Sequence, residues 1–214
     1  MYHEKLKIAL SHIDSLNNGY GFFYDNLDVD KQETIFTEAL CRGDVEHNLC
    51  NICVNDAFVN LVNLCPNHKN AIIYREKCML RYSNETNLFD ALRLSLFRRN
   101  DESSNDVGRF TLVVHKLIKN LIVSAAAGDS RLKYASGNTS GPNRTKIYGL
   151  VQCVPILVTR ECIQCLNEAY NYKFNGLCHG RTGCYGLTPV CSLRYETYQF
   201  YNGSTTRPAL DLAP

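Results

Sequence analysis

Two stretches of this sequence, "CRGDVEHNLCNIC" at residues 41–53 and "CVPILVTRECIQC" at residues 153–165, carry cysteines at one spacing, C-x8-C-x2-C. Thiols so placed can hold a metal, form a redox pair or cross-link the chain. Zinc takes four ligands at one point, typically two C-x-x-C pairs or one pair with two closely spaced histidines. Each stretch supplies one such pair, and the six histidines (His3, His12, His47, His68, His115 and His179) show no H-x3-5-H grouping. A redox pair puts its first cysteine at a helix N-terminus, roughly where Cys162 is expected, but has no need of further cysteines at set distances. Such cysteines exist. Eleven residues separate Cys53 from Cys65 and twelve separate Cys165 from Cys178; twelve more then lead to Cys78 and to Cys191. Only cross-linking uses them all, so the sulfur atoms read as architecture, with no catalytic residue, metal or cofactor expected.

Eleven cysteines in 214 residues call for an oxidising compartment. Four N-x-S/T sequons point the same way: Asn84, Asn138, Asn143 and Asn202 each sit in a polar, turn-like stretch where a glycan could stand in water. The opening Met1-Tyr-His-Glu-Lys-Leu-Lys has no basic flank leading into an apolar core, so the start reads as truncated or processed. No run approaches the roughly 18 to 20 apolar residues of a membrane span. Net charge is only +2, with Lys and Arg scattered among Asp and Glu, so nucleic acid is not an expected partner.

The elements that must position these cysteines come twice. "CMLRYSN" at residue 78 and "CSLRYET" at residue 191 extend the shared spacing into shared sequence, which indicates duplication. The junction is expected near the polar "RRNDESSND", residues 98–106, giving domains 1–97 and 98–205 and a tail or linker at 206–214. "DVGRFTLVVHKLIKNLIVSAAAG" has Asp106 as a cap and apolar Phe110, Val113, Val114, Leu117, Leu121 and Ile122 at helical steps, ending at Gly128. "KLKIALSHIDSL" is its shorter counterpart near the start. "GYGFFYDN", "ETIFTEAL", "RLKYASG" and "RTKIYGLVQC" read as strands. Helical period returns at Cys50, Cys53, Ala57 and Leu61, and at Cys162, Cys165, Leu166 and Ala169, with Asp44 or His47 and Thr159 in capping positions. "AIIYREKCMLRYSN" and "LTPVCSLRYETYQFY" are long enough for central strands. The fold expected is α+β: two tandem domains, each an antiparallel sheet packed with two helices.

The triplet spacing, the two later cysteines, "CRGDV" before the helix and the closing "CSLRYE" together resemble the plant cysteine-rich repeat family, also called the salt-stress-response/antifungal or ginkbilobin-homologous domain. The resemblance spans essentially the whole chain in two copies. It implies bridges Cys41–Cys50 and Cys53–Cys78, then Cys153–Cys162 and Cys165–Cys191, the first of them worth about 2.7 kcal/mol in the chain-entropy treatment. Family domains usually begin with a strand bearing one more cysteine, the partner of the cysteine after the helix. Nothing upstream of Cys41 supplies it, so Cys65 is expected to be free and the first domain to lack that strand. In the second copy a short Cys178–Cys184 bridge leaves nothing orphaned; the alternative pairs Cys65 with one of these two across the domains. A cysteine nucleophile would need a thiolate and a base; Cys65, beside Pro66 and near His68, is the one free candidate, and truncation explains it better.

The resemblance also implies function. Lectin-like members hold mannose with an Asn beside the first cysteine, an Arg before the last and a Glu five residues after it. Here the first copy offers no Asn, Ile72 and Ser83, and the second offers Tyr185 and Glu196, so only Glu196 remains as a carbohydrate candidate. It is expected to be a strand-edge carboxylate. The function expected is that of a secreted protein or cell-surface ectodomain, plasmodesmata included, binding a carbohydrate or an extracellular protein in stress or defence signalling. A lectin-like antifungal effector acting on mannose-containing glycans is the alternative. Membrane attachment, in a receptor form, would come from a segment after Pro214.

Overall fold

A computed structural model describes residues 2–14, 20–29, 33–66, 68–85, 95–171, 175–203 and 210–212. The chain divides into two compact units, Met1–Leu88 and Phe89–Pro214. In the first, helix α1 (Tyr2–Ser11) is followed by strands β1 (Phe22–Asp28) and β2 (Thr34–Cys41), helix α2 (His47–Leu64), and strands β3 (Ala71–Tyr74) and β4 (Cys78–Ser83). The sheet order is β1-β2-β4-β3, antiparallel throughout. "AIIYREKCMLRYSN" is therefore a hairpin, not one long strand, because Arg75 N–H turns back to the Cys78 carbonyl.

The second unit adds strand β5 (Leu96–Arg99) before helix α3 (Val107–Ala126). Strands β6 (Lys133–Ser140) and β7 (Lys146–Cys153), helix α4 (Thr159–Ala169), the three-residue α5 (Asn175–Leu177), and strands β8 (Gly183–Leu187), β9 (Cys191–Glu196) and β10 (Leu210–Leu212) follow. The order is β10-β6-β7-β9-β8-β5, antiparallel except for the parallel pairing of β10 with β6. Three strands escape the sequence pattern: β5, β8 and β10. Residues 98–106, expected as a junction, begin inside β5 and lead up to α3, and part of the expected tail forms β10. All three are three to five residues long, too short for a clear period-2 signal to emerge.

The α+β architecture holds in both units, and the repeat is visible in register. Cys41↔Cys78, Ala39↔Leu80 and Thr37↔Tyr82 form the helix-facing rows of the first sheet; Cys153↔Cys191, Val151↔Leu193 and Gly149↔Tyr195 form those of the second. Val54, Ala57 and Leu61 of α2 pack on the first sheet with Leu6, Ala9 and Leu10 of α1. Phe110, Val114, Leu117, Ile118, Leu121 and Ile122 of α3 are buried in the second unit. Gly149 lets α3 approach β7: a Cβ there would stand 2.8–2.9 Å from Leu121 Cδ1 and Leu117 Cδ2.

Asp106 caps α3 by accepting the Arg109 N–H at 3.1 Å. Buried Lys133 closes its other end, donating to the carbonyls of Ala126 and Gly128 at 3.4 and 2.8 Å. The caps expected for α2 and α4 are displaced by one residue or more. Glu46 and Val158 hold the cap positions, and Thr159 is already helical. Glu161 reaches back to accept the Val158 N–H at 3.0 Å, so an acidic residue in the first turn does the work assigned to Thr159. No helix among the described residues is long and apolar enough to cross a membrane.

Candidate functional site: an aromatic and guanidinium face on the second sheet

Ten cysteines are bonded as Cys41–Cys50, Cys53–Cys78, Cys153–Cys162, Cys165–Cys191 and Cys178–Cys184. Two bridges in each unit join a helix to adjacent strands: Cys50 and Cys53 on α2 reach β2 and β4, and Cys162 and Cys165 on α4 reach β7 and β9. Cys65 is free and half-buried. Its carbonyl accepts from Tyr82 Oη at 3.1 Å, as does that of His68. Cys65 Sγ has no hydrogen bond to a histidine ring among the described residues.

The same construction recurs in the second unit, where Tyr195 Oη donates to the carbonyls of Cys178 and Arg181, both at 2.9 Å. Tyr195 lies opposite Cys184, and Tyr82 lies opposite Ala71. Cys65 therefore corresponds to Cys178, and Ala71 occupies the place of its bonding partner Cys184. Burial raises both phenols, Tyr82 to about 12, so each hydroxyl stays protonated and able to donate.

The loop after Cys41 is closed on itself. Arg42 donates through Nε and Nη2 to the two carboxylate oxygens of Asp44, at 2.6 and 2.9 Å, and through Nη1 to Glu76 Oε1 at 3.1 Å. The Asp44 side chain is 1% exposed. Asp44, expected as a helix cap, instead neutralises Arg42 ahead of α2.

The sequon asparagines fall in different settings. Asn143 is exposed in the turn between β6 and β7, and Asn202 is exposed beyond β9. Asn84 is half-buried and donates to Glu33 Oε1 at 3.4 Å. Asn138, expected in a turn, lies within β6 between β7 and β10. Thr86 and Ser204, which complete the Asn84 and Asn202 sequons, lie outside the described residues.

Glu196 is not an exposed strand-edge carboxylate. It is buried at the end of β9, between β7 and β8, with Oε1 accepting from Arg194 Nε at 3.0 Å and Oε2 from Asn100 Nδ2 at 3.1 Å. Gly183 lies opposite it, where any Cβ would overlap the carboxylate. With one bond to each oxygen and its side chain buried, Glu196 orients Arg194.

Arg194 is the centre of the arrangement. Its guanidinium carbon lies 4.3 Å from the Phe200 ring centroid and 5.7 Å from that of Tyr185, and its Nη2 donates to Tyr198 Oη at 3.1 Å. Tyr185 is the register partner of Arg194 on β8, and Arg98 on β5 is the partner of Tyr185, so cation, ring and cation alternate along one row of one face. Beyond β9 the chain folds back: Phe200 and Tyr201 pack with Tyr148, Tyr134 and Leu150. Arg98 is exposed and Tyr198 is 54% exposed. The alternate positions of Arg194, Glu196 and Tyr198 hint at a shared face. The contributions of Tyr185, Arg98 and Phe200 depend on register and on the fold-back, which spacing does not reveal.

The chain matches the salt stress response/antifungal family over residues 1–85 and 98–198. It is 33% identical over 219 residues to cysteine-rich receptor-like protein kinase 25 of Arabidopsis thaliana, an alignment covering 100% of this chain and 32% of that protein. It is 31% identical over 211 residues to the putative cysteine-rich receptor-like protein kinase 9 of the same plant, covering 95% of this chain and 77% of that one. The chain thus spans about a third of the length of most of these kinases. Among solved structures, it resembles the tandem DUF26 ectodomains of the Arabidopsis thaliana cysteine-rich receptor-like proteins PDLP8 and PDLP5. For PDLP8 the TM-score is 0.74 at 19% identity, covering 91% of this chain and 89% of that one; for PDLP5 it is 0.68 at 23%, covering 91% and 90%. Duplicated register, paired helix-to-strand bridges and the matches over both units agree, and the chain belongs to the salt stress response/antifungal family of cysteine-rich repeat domains.

Proposed function

We propose that this chain is an extracellular, non-enzymatic recognition module of plant stress or defence signalling that engages a carbohydrate or protein partner through the face formed by Arg98, Tyr185, Arg194, Tyr198 and Phe200. One observation carries the reading: the Arg194 guanidinium is held between two rings beside a tyrosine that is 54% exposed. Tyrosine and arginine dominate binding hot spots because they bring large area and directed donors. Here the Arg194 side chain is already ordered by Glu196 and the rings, which lowers the entropy lost on binding. The family's ectodomain relatives support the extracellular setting, and five bridges suit an oxidising one.

The test is a glycan array, mannans included, together with a panel of extracellular protein domains, probed with the secreted chain. For a ligand so found, the double variant Arg98→Ala, Tyr198→Ala weakens binding by about 2 kcal/mol, roughly 30-fold. Undiminished binding by that variant removes the face from consideration. Strong mannan binding that the variant leaves intact would favour the lectin-like antifungal effector instead.

A further inference from the structure

Two of the four sequons lie five residues apart on the β6–β7 hairpin, in opposite circumstances. Asn143 is in the turn, exposed, at φ 55° and followed by Arg144 at φ 61°. Asparagine is among the few residues besides glycine that adopt this left-handed conformation readily. The turn is closed by the Gly141 N–H donating to the Thr145 carbonyl at 2.7 Å and the Thr145 N–H donating to the Pro142 carbonyl at 3.1 Å. Neither bond uses the Asn143 side chain, which has no hydrogen-bond partner among the described residues.

Asn138 is the reverse case. It pairs with Tyr148 of β7 on one side and Asp211 of β10 on the other. Its side chain is half-buried, and its Oδ1 is buried without a hydrogen-bond partner among the described residues. A glycosylated asparagine must hold Nδ2 and the first sugar in water, and the planar amide keeps Oδ1 close beside them. Strand side chains stand off the faces of the sheet, and there the Asn138 Oδ1 is already covered, so a sugar on the adjoining Nδ2 would have to displace what covers it. A sugar on Nδ2 is incompatible with an Oδ1 buried in this way, so chains that reach the described fold are those in which Asn138 is unmodified.

We propose that Asn143 carries an N-linked oligosaccharide and that Asn138, despite its sequon, does not. The donor is a lipid-pyrophosphate-linked oligosaccharide. The Asn143 Nδ2–sugar C1 bond forms as the bond from C1 to the pyrophosphate oxygen breaks; the amide proton passes to solvent, the lipid pyrophosphate leaves, and nothing is oxidised or reduced. The experiment is site-occupancy mass spectrometry of the full chain secreted from a glycosylating eukaryotic host, with peptide N-glycosidase release in 18O-labelled water marking each occupied asparagine. Label is expected at Asn143 and not at Asn138. Two variants that keep both asparagines supply an independent readout on gels: Thr145→Ala loses one glycan mobility step, and Ser140→Ala loses none. An unlabelled Asn143 overturns the assignment, and label at Asn138, or a step lost in Ser140→Ala, overturns its exclusion.

Discussion

Single residues set the electrostatics of the first sheet. Glu38 on β2 lies opposite Arg81 on β4 and Tyr24 on β1, and both Glu38 and Arg81 are buried. Burial raises the Glu38 carboxyl from 4.5 to about 7, with Arg81 acting in the opposite sense. Between those values the folded chain holds a proton that the unfolded chain has released, so stability falls as pH rises through that window, by on the order of 3 kcal/mol. Denaturant titrations at about pH 5 and about pH 7.5 are expected to show this fall, and Glu38→Gln is expected to flatten it. Arg42 poses a different problem, because its removal strands the buried Asp44 carboxylate. Arg42→Ala is expected to cost about 2 kcal/mol in the same titration, since an unpaired buried charge loses its full hydration.

Elements show how a duplicated design diverged. In the second unit a bridge and a tyrosine hydroxyl both secure the segment leading from the helices into β8; in the first, the hydroxyl of Tyr82 remains and Ala71 stands opposite it. Ala71 lies six positions after Cys65, as Cys184 lies six after Cys178. Ala71→Cys is therefore expected to let position 71 bond Cys65, removing the alkylatable thiol and stabilising the first unit by about 2 kcal/mol in thermal unfolding. Gly149→Ala tests the packing of α3 on β7. Its Cβ meets Leu117 and Leu121 in a full core, and a loss of about 1–3 kcal/mol is expected.

For the whole molecule, the covalent ties decide stability. Each unit's sheet is joined to its second helix at two points, and the loops so closed lose entropy in the unfolded chain rather than gaining contacts in the folded one. Native, non-reducing alkylation is expected to modify Cys65 alone. Replacing both Cys153 and Cys162 by serine is expected to cost about 2–4 kcal/mol in thermal unfolding, with the remaining bridges intact by peptide mapping.

The sequence by itself determined the class of fold, the duplication and the role of the sulfurs, because cysteine spacing and helical period are local quantities that recur in both copies. It also picked out Asp106 as a cap, since that bond spans three residues. Only the tertiary structure decided the settings of the polar groups. Glu196 is buried with each oxygen bonded within the chain, and Asn138, expected in a turn, lies on a strand with its Oδ1 buried. The face around Arg194 likewise draws on β5, β8, β9 and the segment beyond. Strand register and the fold-back beyond β9 bring those residues together over about a hundred positions, and register follows from long-range pairing that no local spacing encodes.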